Sequence, residues 1–228
     1  MPKKLKVKAV FFDLWNTLAF TDIKKDVFRE MQIRLGLNEI THNQFLQECE
    51  TAIMLEEFDN LNHLYSKMLN YFSITSGEIL LGDLDFLWNL ALKNNKLFPE
   101  TKKVLTKTKK HFKTALISNC ENFGIQSLTA SNDFKLENYF DEIMLSCSVG
   151  LIKPNPKIFL VPLKKLKINP EQAVMIGDSI RTDMNGAKKA GLKTILIDRK
   201  GKFKGKKFSV DAVISSLDEL EKVIEFKK

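Results

Sequence analysis

Short apolar runs alternate with helical periodicity along this chain. Residues 6–12 (KVKAVFF), 113–118 (KTALIS), 142–147 (EIMLSC), 173–177 (AVMIG), 193–198 (KTILID) and 210–214 (VDAVI) are rich in β-branched and aromatic residues. Their brevity and continuity suit strands buried on both faces of a parallel sheet. Between them the spacing predicts helices over 99–110, opening with Pro99, and over 155–167, with Pro156 near its start. Further helices are expected at 182–190, ending at Gly191, and at 216–226. About six strands separated by helices predict an α/β fold with a doubly wound parallel sheet.

One stretch breaks the alternation. Residues 20–92 show helical periodicity and no convincing strand. Thr41 followed by Gln44 forms a capping box that opens a helix running to about Asp59. Leu61, Leu64, Tyr65, Met68 and Phe72 recur at the spacing of one helical face. Residues 78–92 are apolar nearly all round, with Leu84, Leu87, Trp88 and Ala91 on one side, as a buried helix requires. Four helices packed as one inserted body are expected, dividing the chain into a core of 1–19 and 93–228 and an insert of 20–92.

Composition narrows the setting. At 228 residues and 44% apolar content the chain can bury a substantial core. No apolar run approaches membrane-spanning length, and the basic-then-apolar opening MPKKLKVKAVFF is too short in its apolar part for a secretory signal. Cys49, Cys120 and Cys147 are odd in number and far apart, which fits a reducing, cytoplasmic setting without a disulfide framework. His42, His63 and His111 lack metal-ligand spacing.

The net charge of +8 is unevenly placed. Residues 199–207 (RKGKFKGKK) hold six basic groups, and the basic set is 32 Lys against 4 Arg. Readers of bases and phosphates favour Arg, so nucleic acid is disfavoured as a partner. The basic run reads as a mobile surface loop carrying Gly201 and Gly205. The insert carries 5 basic and 12 acidic residues, a net of −7, against +15 for the remainder. An acidic body over a basic one favours closure across a cleft.

The candidate chemistry lies at strand ends. Asp13 follows the first strand in FFDLWNTL and should stand at the carboxyl edge of the sheet, where open α/β folds place their sites. Strand two ends in Ser118-Asn119, a helix-entry segment reads GLIKP with Lys153 ahead of Pro154, and strand four ends in Gly177-Asp178-Ser179 with Asp183 beyond. Cys120 reads as a buried, inert thiol.

In this order D-x-x-x-T-L, S-N, K-P and G-D-S-x-x-x-D resemble the four motifs of the haloacid dehalogenase-like (HAD) hydrolase superfamily, over essentially the whole chain. The resemblance implies a Rossmannoid core with an all-α cap formed by the insert. It implies Asp13 as nucleophile toward a small phosphorylated metabolite, and Mg²⁺ held by Asp13, the backbone carbonyl of Trp15, and Asp178. Ser118 would donate to a phosphoryl oxygen, and Lys153 would pair with the phosphoryl charge and Asp13. Asp183 would orient Lys153 or the metal waters, Thr17 would brace the nucleophile turn, and Asn119 would help position the substrate. A monomer or homodimer is expected, with no membrane partner. Asn16 stands where the family commonly has Gly, and Asn tolerates a left-handed backbone.

Trp15 departs from the pattern. Phosphatases of the superfamily usually carry Asp here, as the acid that protonates the leaving alkoxide and the base that activates water. Indole can do neither, and loss of a positioned acid/base costs about 10²–10⁴-fold. The expected function is therefore a Mg²⁺-dependent phosphatase with altered proton transfer, favouring leaving groups such as aryl or acyl phosphates. A metal-independent 2-haloacid dehalogenase is an alternative, since that branch carries an aromatic residue here. It would need a cationic clamp, for which Arg29 and Arg34 are the arginines of the insert. A non-catalytic binding protein and phosphoryl transfer of the mutase type are further readings. Intact Asp178 and Asp183 favour the phosphatase.

Overall fold

The computed structural model describes residues 4–75 and 77–226; the first three residues of the basic N-terminal stretch lie outside them. In chain order the elements are β1 (Ala9–Phe12), β2 (Ala19–Thr21), α1 (Val27–Arg34), α2 (His42–Ile53), α3 (Leu61–Tyr71), α4 (Glu78–Lys93) and β3 (Asn95–Leu97). Then come α5 (Thr101–His111), β4 (Lys113–Ser118), α6 (Asn122–Ser131), β5 (Glu142–Leu145), α7 (Ser146–Val149) and α8 (Lys157–Leu166). The chain ends with β6 (Ala173–Gly177), a π-helical turn (Ile180–Met184), α9 (Asn185–Lys189), β7 (Lys193–Ile197), β8 (Ala212–Ile214) and α10 (Leu220–Val223).

Six strands form one parallel sheet in the order β5-β4-β1-β6-β7-β8. Alternate residues of each strand face opposite sides. Val10 and Phe12 of β1 join Leu116, Ile176 and Ile195 in a cluster covered by α5, α6 and α10. Ala9 and Phe11 join Ile117, Met175 and Leu196 in a second cluster, covered by α8 and α9. Both faces are thus apolar, which is why the strands read as unbroken hydrophobic runs.

Helices α1–α4 surround a third apolar cluster that includes Phe45, Leu64, Tyr65, Met68 and Trp88. The Thr41–Gln44 capping box is present at the start of α2. That helix ends at Ile53, six residues short of Asp59.

Other expectations need correction. The segment read as having no strand begins with one: Ala19–Thr21 pairs antiparallel with Asn95–Leu97, Ala19 opposite Leu97 and Thr21 opposite Asn95. Three residues are too few for a period-two pattern to register. The strand expected over 142–147 stops at Leu145, where Ser146 and Cys147 turn into α7. The helix expected over 182–190 starts earlier, as the π-helical turn from Ile180. The helix expected from Pro99 starts at Thr101. Helix α6 was not expected, because its sequence NFGIQSLTAS mixes Gly and Ser into the apolar spacing. The basic loop is tied at its base: the Asp198 carboxylate accepts from the backbone N–H groups of Lys202 (2.8 Å) and Phe203 (2.9 Å).

Candidate active site

The ladder between β1 and β6 runs one residue past the strand, through Asp13 N–H to the Ile176 carbonyl at 2.9 Å. This fixes Asp13 at the carboxyl edge of the sheet. The chain then turns sharply: Leu18 and Ala19 N–H both donate to the Leu14 carbonyl, and Asn16 N–H donates to the Ala19 carbonyl. Asn16 takes φ +59°, the left-handed conformation that Gly or Asn adopts most readily.

Asp13 is nearly buried, and each carboxylate oxygen has a partner. Lys153 Nζ donates to Oδ1 at 2.6 Å, and Thr17 Oγ1 donates to Oδ2 at 3.0 Å. The same ammonium donates to Asp183 Oδ1 at 2.7 Å. Asp183 Oδ2 accepts from Ser179 N–H at 3.0 Å, which locks the carboxylate to the loop after β6. Gly177 permits this closure, since a Cβ there would stand 2.3 Å from Asp183 Oδ2. Lys153 is held by Asn119: the Asn119 amide donates to the Lys153 carbonyl at 3.1 Å and accepts from the Lys153 N–H at 2.8 Å. Asn119 therefore positions the lysine's backbone.

Asp178 completes the group. Carboxylate oxygens of Asp13, Asp178 and Asp183 all lie within 4.8 Å of one another. Three carboxylates against one buried ammonium leave the cluster short of positive charge. Burial, opposed by Lys153 and reinforced by Asp183, pushes the Asp13 carboxyl up to about 6. Burial and the charges of Asp13 and Asp183 push Asp178 up to about 7. Lys153 moves up despite its burial, because Asp13 and Asp183 both hold its charge. A cluster of hard oxygen donors with a deficit of positive charge fits a divalent cation such as Mg²⁺.

A cavity of about 840 Å³ opens on Asp13, Trp15, Asn119, Lys153, Asp178 and Asp183. Helices α1, α2 and α4 supply its far wall, through residues including Met31, Glu50 and Trp88. Ser118 is fully buried and is not among the residues lining this cavity; its hydroxyl donates to the Asn119 carbonyl at 3.4 Å. Arg29 and Arg34 do not line it either: Arg34 pairs with Asp83 at 2.6 Å, and Arg29 donates to Gln32. The arginine that does is Arg181, which bridges to Glu50 of α2 at 2.7 Å. The Cys120 thiol is buried, and its contact with Cys147, with burial, pushes its pKa up.

Two groups escaped the sequence reading. Arg199 opens the basic run, yet it donates to Glu100 at 2.8 Å and to the Thr17 carbonyl at 2.7 Å, bracing the nucleophile turn from behind. Glu121 lies in the cavity wall, buried at the N-cap of α6. Its only sequence signal was an acidic residue three places after Ser118.

Fold and site together define an α/β protein whose sheet edge carries three aspartates gathered around one buried lysine. The chain belongs to the haloacid dehalogenase-like hydrolase family, whose model matches residues 7–191. It is 30% identical, over 96% of its length and 94% of the relative's, to the glyceraldehyde 3-phosphate phosphatase of Pyrococcus furiosus. It is 29% identical to the enzyme of the same name from Methanothermobacter thermautotrophicus, over 84% of this chain and 86% of that one. Among solved structures it resembles a HAD phosphatase from Thermococcus onnurineus and a 2-haloacid dehalogenase from Pseudomonas syringae pv. Tomato DC3000. Each superposes with TM-score 0.60 at 23% identity, covering 95% of this chain and 97% of the other. At that identity both speak to the fold and neither separates the two chemistries.

Proposed function

We propose that this protein is a phosphatase-type hydrolase that acts on a small phosphorylated metabolite through an aspartyl-phosphate on Asp13, with Mg²⁺ as cofactor. The observation that carries the reading is the Asp13–Lys153–Asp183 chain of short contacts, with Asp178 beside it, at the floor of the cavity. The phosphatases among its relatives support the same class.

In this reading Asp13, Asp178 and the Trp15 carbonyl hold the cation, which supplies charge neutralisation for the phosphoryl oxygens. Thr17 fixes one Asp13 oxygen and Lys153 the other, so the carboxylate is aimed before substrate arrives. Lys153 stabilises the charge that builds on the phosphoryl group, while Asp183 keeps the ammonium in place. Ser118, behind the wall, reaches a phosphoryl oxygen only by turning from Asn119. Residues 20–92 act as the cap over a core of 1–19 and 93–228, excluding water from the cavity.

The test is direct. Hydrolysis of p-nitrophenyl phosphate should need added Mg²⁺, stop on chelation, and fall to background in Asp13→Asn. Turnover that persists in Asp13→Asn sinks the mechanism. Metal-free chloride release from 2-chloropropionate would point to the dehalogenase, and failure on both substrates without Mg²⁺ binding would point to a binding protein.

A further inference from the structure

Two cysteines distant in the chain meet just beyond the sheet edge. Strands β4 and β5 run parallel with Ser118 opposite Leu145, and the same offset carries Cys120 to Cys147. Both strands have ended there, yet Ser146 keeps the two segments in step. Its hydroxyl accepts from the Cys120 N–H at 3.0 Å and donates to the Cys120 carbonyl at 3.2 Å. The thiols of Cys120 and Cys147 are hydrogen-bonded to each other. Adjacent parallel strands lie about 4.8 Å apart, and a disulfide joins Cα atoms about 4.4–6.8 Å apart. A pair in this register needs little backbone movement to be bridged.

We propose that Cys120 and Cys147 are an oxidisable pair that a peroxide closes to a disulfide, and that closure slows the site through Asn119. The effect on turnover rests on the phosphatase reading, whereas the bridge itself does not. The Cys147 sulfur, its proton given up to solvent, bonds to one oxygen of hydrogen peroxide as the O–O bond breaks. The departing hydroxide takes up that proton and becomes water, leaving a sulfenic acid on Cys147. The Cys120 sulfur then attacks the Cys147 sulfur, the S–O bond breaks, and the oxygen leaves as water with the Cys120 proton. Two thiols are oxidised and one peroxide is reduced to two waters.

The surroundings suit that order of events. The Cys120 S–H donates to Cys147 and holds the Cys147 thiol below its ordinary value, which makes Cys147 the attacking sulfur. Its Sγ lies 3.9 Å from the hydroxyl of Ser148, an exposed residue, while Cys120 lines the cavity. Cys49 makes the contrast: burial and the charges of Glu50 and Glu48 push its thiol up to about 12. A disulfide draws its sulfurs to about 2.05 Å. Ser146 already holds the Cys120 backbone, so the pull passes to Asn119, whose amide makes both bonds to the Lys153 backbone.

The full chain is treated with a small excess of hydrogen peroxide, denatured, alkylated and digested without reduction. Mass spectrometry should find one linked peptide joining Cys120 to Cys147, with Cys49 alkylated. Mg²⁺-dependent hydrolysis of p-nitrophenyl phosphate should fall at least about tenfold with the bridge and return on adding dithiothreitol. Cys147→Ala should start at the wild-type rate and keep it under the same dose of peroxide. Should that variant not fold by circular dichroism, Cys147→Ser, closer to cysteine in volume, takes its place. Absence of the linked peptide overturns the proposal. So does a bridge that leaves turnover unchanged, or a loss of turnover that the Cys147 variant shares. If the untreated wild type shows no Mg²⁺-dependent turnover, the phosphatase reading has failed, and the linked peptide alone then decides the pair.

Discussion

Lys153 holds two buried carboxylates with one ammonium, and its own side chain is 2% exposed. Removing one partner of such an arrangement strands the other charges, at a typical cost of about 3–5 kcal/mol. Lys153→Met should therefore lower the free energy of unfolding, read by urea titration, by that order and abolish phosphate release. Glu121 bears on stability with the opposite sign of interaction. Its folded carboxyl is raised from 4.5 to about 7, so the native state binds the proton more tightly than the unfolded chain. Stability from this group is full below about pH 4.5 and falls as pH rises toward 7. The loss amounts to roughly 3 kcal/mol and levels off above that. Urea unfolding in chelator at pH 5 and pH 8 should show that difference between wild type and Glu121→Gln. Asp13, Thr17, Lys153 and Asp183 were legible because motif order and spacing mark them. Glu121 was not, because an acidic residue before a helix looks the same in sequence whether it faces water or a cavity.

Among the elements, the turn from β6 into its π-helical turn is the most demanding. Gly177→Ala places a methyl against Asp183 and must push that carboxylate off both Ser179 and Lys153. It should cut kcat at least about tenfold through misplacement of the lysine. Gly82 in α4 makes the contrast: a Cβ there meets nothing within 4 Å. Gly82→Ala should raise stability by about 0.5–1 kcal/mol, read as a higher melting temperature with unchanged activity. The six sheet strands and the α2 capping box could be read directly, since burial on both faces and local capping leave strong local patterns. Strands β2 and β3 could not, because three residues fix no period and their pairing partner lies 74 positions away at Thr21 and Asn95.

At the scale of the molecule, specific polar bonds tie the inserted helices to α6 and to the π-helical turn beyond β6. The Asn122 amide donates to the Phe58 carbonyl at 2.9 Å and accepts from its N–H at 3.0 Å. Arg181 reaches Glu50 across the cavity. Asn122→Ala should leave the fold intact and speed limited proteolysis within 54–60, because two buried backbone groups lose their partner. The charge asymmetry of the two parts was readable from composition. These pairings were not, since they depend on which surface residues the packing brings opposite one another.

The β2–β3 ribbon has a mechanical consequence. The chain passes from sheet to helices and back through two crossings, and hydrogen bonding zips them side by side. Separate crossings would let the helices slew over the sheet edge in any direction. A zipped pair behaves as a single strap, stiff to shear and to twist, soft only to bending across its width. Any opening of the cavity would thereby be confined to one swing, and closure would return the helical wall to the same registration over Asp13.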